Sequence, residues 1–196
     1  VKARGICGSG LIDVIYEMVR NGIIDQSGKF NTSRYDPRLN MEDGDPRYLI
    51  VPASESATGQ AITISEAEIA NLMKSKGAVF AAIKSLTDYV GMSFKQFENI
   101  YVAGGFGSSL NMTKAIAIGL LPDVDIKRLQ FIGNSSLTGA RMVLMSIANF
   151  EKAKEIARRM TNIELSNYAP FMNEFIAALF LPHTDNKLFP SVRYEK

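Results

Sequence analysis

The sequence is poor in the side chains from which most metal and nucleophile sites are built, with one cysteine and one histidine in 196 residues. A lone cysteine, Cys7, excludes an internal disulfide framework and an all-cysteine metal cage. A lone histidine, His183, argues against a histidine-based metal site and against an intact catalytic triad. No apolar run reaches the ~18 residues of a membrane span, and no signal peptide precedes the first motif. Neither a membrane partner nor export is therefore expected, and the default compartment is the cytoplasm. Charge of one sign is not in excess either. The 22 basic and 20 acidic residues are mixed along the chain for a net charge of +2. No basic stripe interleaves with aromatics, so no nucleic-acid partner is expected.

What is there is globular material, 46% hydrophobic and 21% charged, of a length that suits one domain or one lobe of a larger protein. The organising stretch is Asn99-Ile100-Tyr101-Val102-Ala103-Gly104-Gly105-Phe106-Gly107-Ser108. A short apolar β-favouring run predicts a buried parallel strand, and the carboxyl end of such a strand is where open α/β sheets bind ligands. Glycines there let a ligand approach the backbone, and Asn111 just beyond is placed to cap a helix, whose amino-terminus suits phosphate. The same glycines also fit a plain tight turn between strand and helix.

A second glycine turn, Gly5-Ile6-Cys7-Gly8-Ser9-Gly10, opens a helix whose apolar face is Leu11, Ile12, Ile15, Met18 and Val19. Ser9 reads as its N-cap, Asp13 as a first-turn acid, and Asn21-Gly22 as its stop. Gly8 and Gly10 serve either an anion site or tight packing of the turn, and Cys7 reads as a small buried residue. Residues 24–46 read as a long polar surface loop with a short strand near Phe30. Its acids Asp36, Glu42, Asp43 and Asp45 fit no calcium-loop spacing and read as solvated carboxylates. Tyr48–Val51 and Ala61–Ile64 predict an antiparallel hairpin.

Ser65-Glu66-Ala67-Glu68 is a capping box that starts the longest helix, to about Val90, with Ile69, Leu72, Met73, Phe80 and Ile83 on its buried face. Lys76 falls on that apolar stripe, and Gly77 sits mid-helix, where glycine costs about 1 kcal/mol relative to alanine. They fit either a snorkelling lysine beside a helix crossing, or a flat ligand such as adenine packed on the spot. Beyond the central strand, Asn111 opens a short helix and Leu129–Ile132 is a further strand. Gly133–Ala140 is a third strand-to-helix turn of small residues. Leu137, Ala140, Leu144 and Ile147 are expected inside the next helix, and Phe150, Ala153, Ala157 and Met160 inside the one after. Ile163–Leu165 reads as an edge strand. Pro170 reads as the first turn of a last helix, with Phe171, Phe175, Ile176 and Leu179 as its apolar residues. Residues 181–196 read as a docking tail, and His183 as the maker of a local hydrogen bond.

Three glycine turns opening helices on an α/β frame resemble one lobe of the acetate/sugar kinase, heat-shock chaperone and actin superfamily. Val102-Ala103-Gly104-Gly105-Phe106-Gly107 is similar to its adenosine motif. Ile6–Asp13, Ile118-Gly119-Leu120-Leu121-Pro122 and Phe180-Leu181-Pro182 together resemble the reductive activators of corrinoid proteins, the activating enzymes of methyltransferase and O-demethylase systems. The resemblance covers essentially the whole chain. It implies an α/β, ribonuclease-H-like (actin-like ATPase) lobe with a mixed β-sheet and flanking helices, at 1–196, as the carboxyl-terminal part of a larger protein.

The implied chemistry is ATP-dependent return of a Co(II) corrinoid protein to Co(I) by one electron from a [2Fe-2S] domain. ATP with Mg2+ is the implied cofactor, and the corrinoid protein the implied partner. The implied nucleotide-binding residues are Gly8, Ser9, Gly10, Gly104, Gly105, Phe106, Gly107 and Ser108, with Lys76 and Gly77 beside the base. The sequence departs from the family in two respects. It lacks the cysteines of an iron–sulfur cluster, expected in an amino-terminal domain, and it lacks the acidic phosphate motif, expected upstream of residue 1. Catalytic carboxylates are therefore not assigned, and strands missing upstream would leave a sheet edge open to a second copy, a homodimer. Two other readings share the fold: an activator of 2-hydroxyacyl-CoA dehydratase, for which Cys7 alone cannot hold the shared cluster, and a non-hydrolysing actin-like nucleotide-binding or assembly module.

Overall fold

The helical repeat of Ile12, Ile15, Met18 and Val19 builds α1 (Gly8–Arg20), which buries those four residues. This computed structural model describes residues 2–33, 35–41, 44–105 and 109–194. Helix α1 begins earlier than Ser9 as N-cap would have it. The extended residue at its start is Cys7, and no acid lies in the first turn, so Asp13 falls in the second. Gly8 and Gly10 do not delay the helix because first-turn N–H groups lack intrahelical partners in any case. Asn21 closes it, followed by Gly22 at φ 68°.

The loop after α1 is more than surface. Its few apolar residues turn inward, and Ile24 and Phe30 form an antiparallel bridge and are both buried. β1 (Leu39–Asn40), β2 (Arg47–Val51) and β3 (Ile62–Ser65) form an antiparallel sheet, bulged between Leu49 and Val51. The bulge and the alternation along β2 turn Tyr48 and Ile64 to the same core as α1.

Ser65 and Glu68 make the reciprocal capping box of α2 (Glu66–Tyr89): Glu68 N–H donates to Ser65 Oγ at 3.2 Å, and Ser65 N–H to Glu68 Oε2 at 2.8 Å. The helix buries Ile69, Met73, Lys76, Gly77 and Phe80, whereas Leu72 and Ile83 are only half-buried. It serves two apolar clusters. Ile69 and Met73 join Ile15, Met18, Tyr48 and Ile64, and Phe80 joins Ala115, Ile116, Leu129 and Phe189.

β4 (Ile100–Val102) and β5 (Leu129–Phe131) pair in parallel, so the strands divide between this pair and the antiparallel sheet. Between them α3 (Met112–Ala117) is capped by Asn111, whose Oδ1 accepts from Lys114 N–H at 3.1 Å. The central strand is parallel as expected but not buried, with Tyr101 60% exposed. The helices beyond differ more. α4 (Ser135–Met145) and α5 (Ile147–Arg159) pack on each other and bury no residue. Leu144 and Ile147 are 86% and 83% exposed, and Leu137, Ala140, Phe150, Ala157 and Met160 are exposed too, with Ala153 half-buried. Helical spacing says which residues share a face. Burial needs a second layer over that face, and among the described residues none lies there. The expected edge strand at Ile163–Leu165 is absent: Leu165–Asn167 makes a 3-10 turn, with Asn167 Nδ2 bonded to Glu164 Oε2 at 2.9 Å. Pro170 sits in the first turn of α6 (Ala169–Ala177), where Phe171 and Phe175 are half-buried and Ile176 is exposed.

Helix α6 crosses α2 at Gly77, where an added Cβ would stand 3.2 Å from the Ala178 carbonyl oxygen. The residue before it, Lys76, is 1% exposed and does not snorkel. Its ammonium donates to the carbonyls of Phe180 and of Pro182, the latter at 2.8 Å. Pro182 also closes on Gly119 (φ 76°), where a Cβ would lie 2.0 Å from the Pro182 carbonyl oxygen. The remaining carboxyl-terminal segment lies on α3 and the chain after it. Phe189 is buried, Ser191 bonds Asp123 through both N–H (2.8 Å) and hydroxyl (2.7 Å), and Tyr194 donates to the Ala117 carbonyl. His183 Nδ1 accepts from Asp185 N–H at 2.9 Å, which leaves Nε2 to donate to Glu174 at 3.0 Å.

Gly119→Ala is expected to destabilise the protein by at least about 2 kcal/mol, the sum of a left-handed alanine and backbone overlap. Denaturant midpoints check this, and a change below a few tenths of a kcal/mol would contradict the contact. Burial pushes the Lys76 pKa down to about 7, while its carbonyl acceptors oppose that push. Above that pH the unfolded chain still binds the proton until the ordinary value of 10.5. Wild-type stability should therefore rise with pH across this window, by up to about 1.4 kcal/mol per unit, relative to Lys76→Met. Parallel pH profiles of the two proteins would contradict it.

Candidate functional site

Parallel pairing sets the carboxyl ends of β4 and β5 side by side, so their two glycine turns meet. Ile132 N–H donates to the Val102 carbonyl at 3.1 Å, and Gly104 N–H to the Gly133 carbonyl at 2.9 Å. Gly104 (φ 122°) and Gly133 (φ 73°) hold conformations that other residues rarely adopt. At Gly104 and Gly105 the space where a Cβ would stand is open among the described residues, with none of their atoms within 4 Å. The backbone here can therefore be approached closely from outside the protein. Beyond Gly133, α4 starts at once: Asn134 Oδ1 accepts from Leu137 N–H at 3.1 Å. Phe106, Gly107 and Ser108 lie outside the described residues. The sequence reading did not include Gly133 and Asn134 among the candidate site residues, although the strand–glycine–helix signal was present there in the same form as at Gly104.

Gly8, Ser9 and Gly10 occupy the first turn of α1. Lys114 links that helix to α3, reaching Glu17 at 3.0 Å and Asp13 at 3.6 Å, and the Glu17 hydrogen bond holds the Lys114 pKa above its ordinary value. The helix that leaves the Gly104 turn thus lies along the helix that leaves the Gly8 turn. A groove of about 430 Å³ borders the start of α1, apolar at Ile6, Leu11 and Leu72 and polar at Asn71 and Ser75. Cys7 is exposed rather than buried. No core lies over a residue at the very start of a surface helix, and its Sγ lies 3.3 Å from Ser9 Oγ.

Lys76 and Gly77 are not brought to either turn. Helix α6 and its exit cover them, so a base packed on that spot would meet Ala178, Leu179 and Phe180. The sequence offered two readings of Gly77, and the observed geometry is the helix crossing. Among the described residues no group of three or more His, Cys, Asp or Glu side chains could hold a metal ion. In the acidic loop, Asp36 accepts from Arg38 N–H and Tyr48 Oη, and Asp45 pairs with Arg47 at 2.7 Å; Glu42 and Asp43 lie outside the described residues. Among the described residues no helix is long and apolar enough to cross a membrane.

A family model described as the C-terminal domain of RACo, the ASKHA domain, matches residues 1–193. The chain is 29% identical over 180 residues to the corrinoid activation enzyme RamQ of Eubacterium limosum, covering 88% of this chain and 30% of RamQ. It is 26% identical over 180 residues to a Co(II) methylated amine-specific corrinoid protein reductase of Methanosarcina barkeri, covering 91% of this chain and 29% of that protein. Among solved structures, a reductive activator for corrinoid, iron-sulfur protein superposes with a TM-score of 0.90 at 45% identity, over 96% of this chain and 30% of that one. The chain spans less than a third of the length of these relatives.

The hydrogen bond from Ser9 lowers the Cys7 pKa, followed by backbone donation from Gly10. Cys7 is therefore expected to react with a thiol reagent in the native protein, one thiol per chain, with a rate midpoint below the ordinary thiol value of 9.0. Ser9→Ala should move that midpoint up. A thiol that reacts only after denaturation would contradict the exposed placement.

Proposed function

The chain belongs to the family of the C-terminal ASKHA domain of RACo, an actin-like α/β domain, and on that premise we propose that it is the ATP-binding lobe of a reductive activator of corrinoid proteins. The observation that carries this reading is the 0.90 TM-score and 45% identity to a reductive activator for corrinoid, iron-sulfur protein over nearly the whole chain. The lobe acts within a larger protein that returns a Co(II) corrinoid partner to Co(I). Its relatives' greater length supports the view that the parts it does not span supply the facing lobe and the electron donor.

The residues fit a nucleotide at the paired turns. Gly104 and Gly105 leave open the space a Cβ would fill, and backbone N–H groups with helix starts are the donors that phosphate oxygens need. Gly104 and Gly105 take the adenosine side, as do Phe106, Gly107 and Ser108 by the sequence motif they continue, and Gly8, Ser9 and Gly10 take the phosphates. Lys76 and Gly77 lie behind this surface rather than on it. Bound ATP supplies the free energy for an uphill one-electron reduction, through two lobe arrangements that bind nucleotide differently. The chain's own part is to orient the nucleotide and exclude water from one wall of the cleft. A [2Fe-2S] cluster does not fit these residues, because Cys7 is the single cysteine.

Gly105→Val should leave the fold intact, since among the described residues nothing stands within 4 Å of the added Cβ. It should weaken ATP binding by about tenfold or more by filling the approach to the turn. Unchanged affinity in the folded variant would remove this turn from the site. Phosphate release by this chain alone, with Mg2+ and ATP, is expected to be negligible beside the full-length activator, because half a cleft leaves the transferring group open to water. Comparable turnover would mean that the catalytic carboxylates lie within these residues.

A further inference from the structure

Resting on the reading above of a longer activator, we infer that the open side of this domain is an interface within the parent polypeptide. The part of the polypeptide that precedes the domain adds a strand along the free edge of β4 and covers the bare faces of α4 and α5.

The edge is unpaired. Ile132 N–H donates to the Val102 carbonyl. Alternate residues of a parallel strand serve opposite neighbours, so Ile100 and Val102 turn their main-chain groups to β5 and Tyr101 turns its own away. Among the described residues the Tyr101 N–H and carbonyl have no partner. On the outer side of β5 the Leu129 N–H is already taken by the Ile126 carbonyl, so β4 has the more open edge. Ile100 and Val102 pack on the Phe80 cluster, while Tyr101 on the opposite face is 60% exposed and Ile132 48%. Parallel sheets occur with both faces covered, and two short strands are not stable alone. The helices have the same need. α4 and α5 are 11 and 13 residues long, lengths at which a helix is marginal without tertiary packing. They pack chiefly on each other, and Leu137, Leu144 and Ile147 stand exposed.

The area involved selects the occupant. The chain exposes 12871 Å², whereas a monomer of its 21.6 kDa should expose about 9,200 Å², an excess of about 3,700 Å². An ordinary protein–protein interface takes about 800 Å² from each partner. A second copy or a transiently bound corrinoid protein would leave most of the excess bare. A domain folded onto one edge and two helices can cover it. In its family this domain is described as C-terminal, and it spans less than a third of its relatives' length, which places ample chain ahead of it.

The test is hydrogen exchange in the full-length activator, without nucleotide or corrinoid protein, at two protein concentrations. A Tyr101 amide on a free edge exchanges at close to the rate of an unstructured peptide. A strand alongside should slow it about a hundredfold or more, equally at both concentrations. Leu144→Gln is a second reading. Glutamine forms helix nearly as well as leucine, so on a free surface it leaves the exchange of α4 amides unchanged, whereas under cover it should speed that exchange about tenfold or more. Free exchange at Tyr101 in the wild type would overturn the inference, as would unchanged α4 exchange in Leu144→Gln. Protection found only at the higher concentration would give the edge to a second copy, and protection found only on adding the corrinoid protein would give it to that partner; either overturns the inference. ATP-driven reduction of the corrinoid protein by an activator whose Tyr101 exchanges freely would remove the interface and leave the functional reading in place. A protected Tyr101 in a protein that neither binds ATP nor reduces the corrinoid protein would do the reverse.

Discussion

A buried lysine whose Nζ has carbonyl partners and no carboxylate sets the arrangement of this chain. Taking the Lys76 charge out of water costs several kcal/mol even after relaxation, and two main-chain acceptors, Phe180 and Pro182, offset part of it. Those acceptors have their own need. They belong to the irregular segment that follows α6 (Ala169–Ala177), and orphaning a buried acceptor costs about 1–3 kcal/mol. Lysine and helix exit therefore satisfy each other. Two glycines follow from the same contact: Gly77 lets Ala178 close on α2, and Gly119 lets Pro182 close on the end of α3.

The position of that contact explains why one helix can serve two clusters. Along α2, Met73 belongs to the cluster shared with α1 and the hairpin, and Phe80 to the cluster shared with α3, β5 and Phe189. Lys76 lies between them. Leu110 and Leu120, at the two ends of the α3 segment, pack against both clusters. The segment from Leu110 to Leu120 thus spans the same boundary as α2, and the Phe180–Pro182 exit lies across it. Above this junction the packing falls away, since α4 and α5 bury nothing.

Much of what was legible in the sequence has a local cause. Ser65 with Glu68, Asn111, and Asn21 with Gly22 each depend on neighbours a few residues away and form as read, as does the β2–β3 hairpin, whereas Ser9 and Ile163–Leu165 were local signals that misled. Errors cluster where the cause is distant. Leu144 and Ile147 lie on an apolar stripe with no layer over it, and Cys7 opens a helix at the surface. Lys76 is drawn inside by carbonyls more than one hundred residues away, which no local pattern encodes. The same division holds at the site. Each glycine turn was visible alone, but the meeting of Gly104 with Gly133 depends on parallel register, Val102 opposite Phe131.

That the legible signal was glycine rather than basic side chains has a physical reason. Lys114 on α3 is engaged with Asp13 and Glu17, and Arg128 sits at the amino end of β5, away from the turns, on the Lys95 and Phe97 carbonyls at 3.0 and 3.1 Å. Lys76, a lysine on the right helix, is buried and bonded to main chain. The N–H groups of Gly104 and Ile132 are spent on the pairing of the two turns, so an anion at this edge would be met by the start of α4. Main-chain groups there lose no side-chain entropy on binding. They are usable only where no Cβ stands in front of them, which is a demand on the residue type at Gly104 and Gly105 and on nothing else nearby. A site of this construction shows in a sequence as missing side chains at a strand end, and its affinity depends on how firmly the strand and the following helix are held.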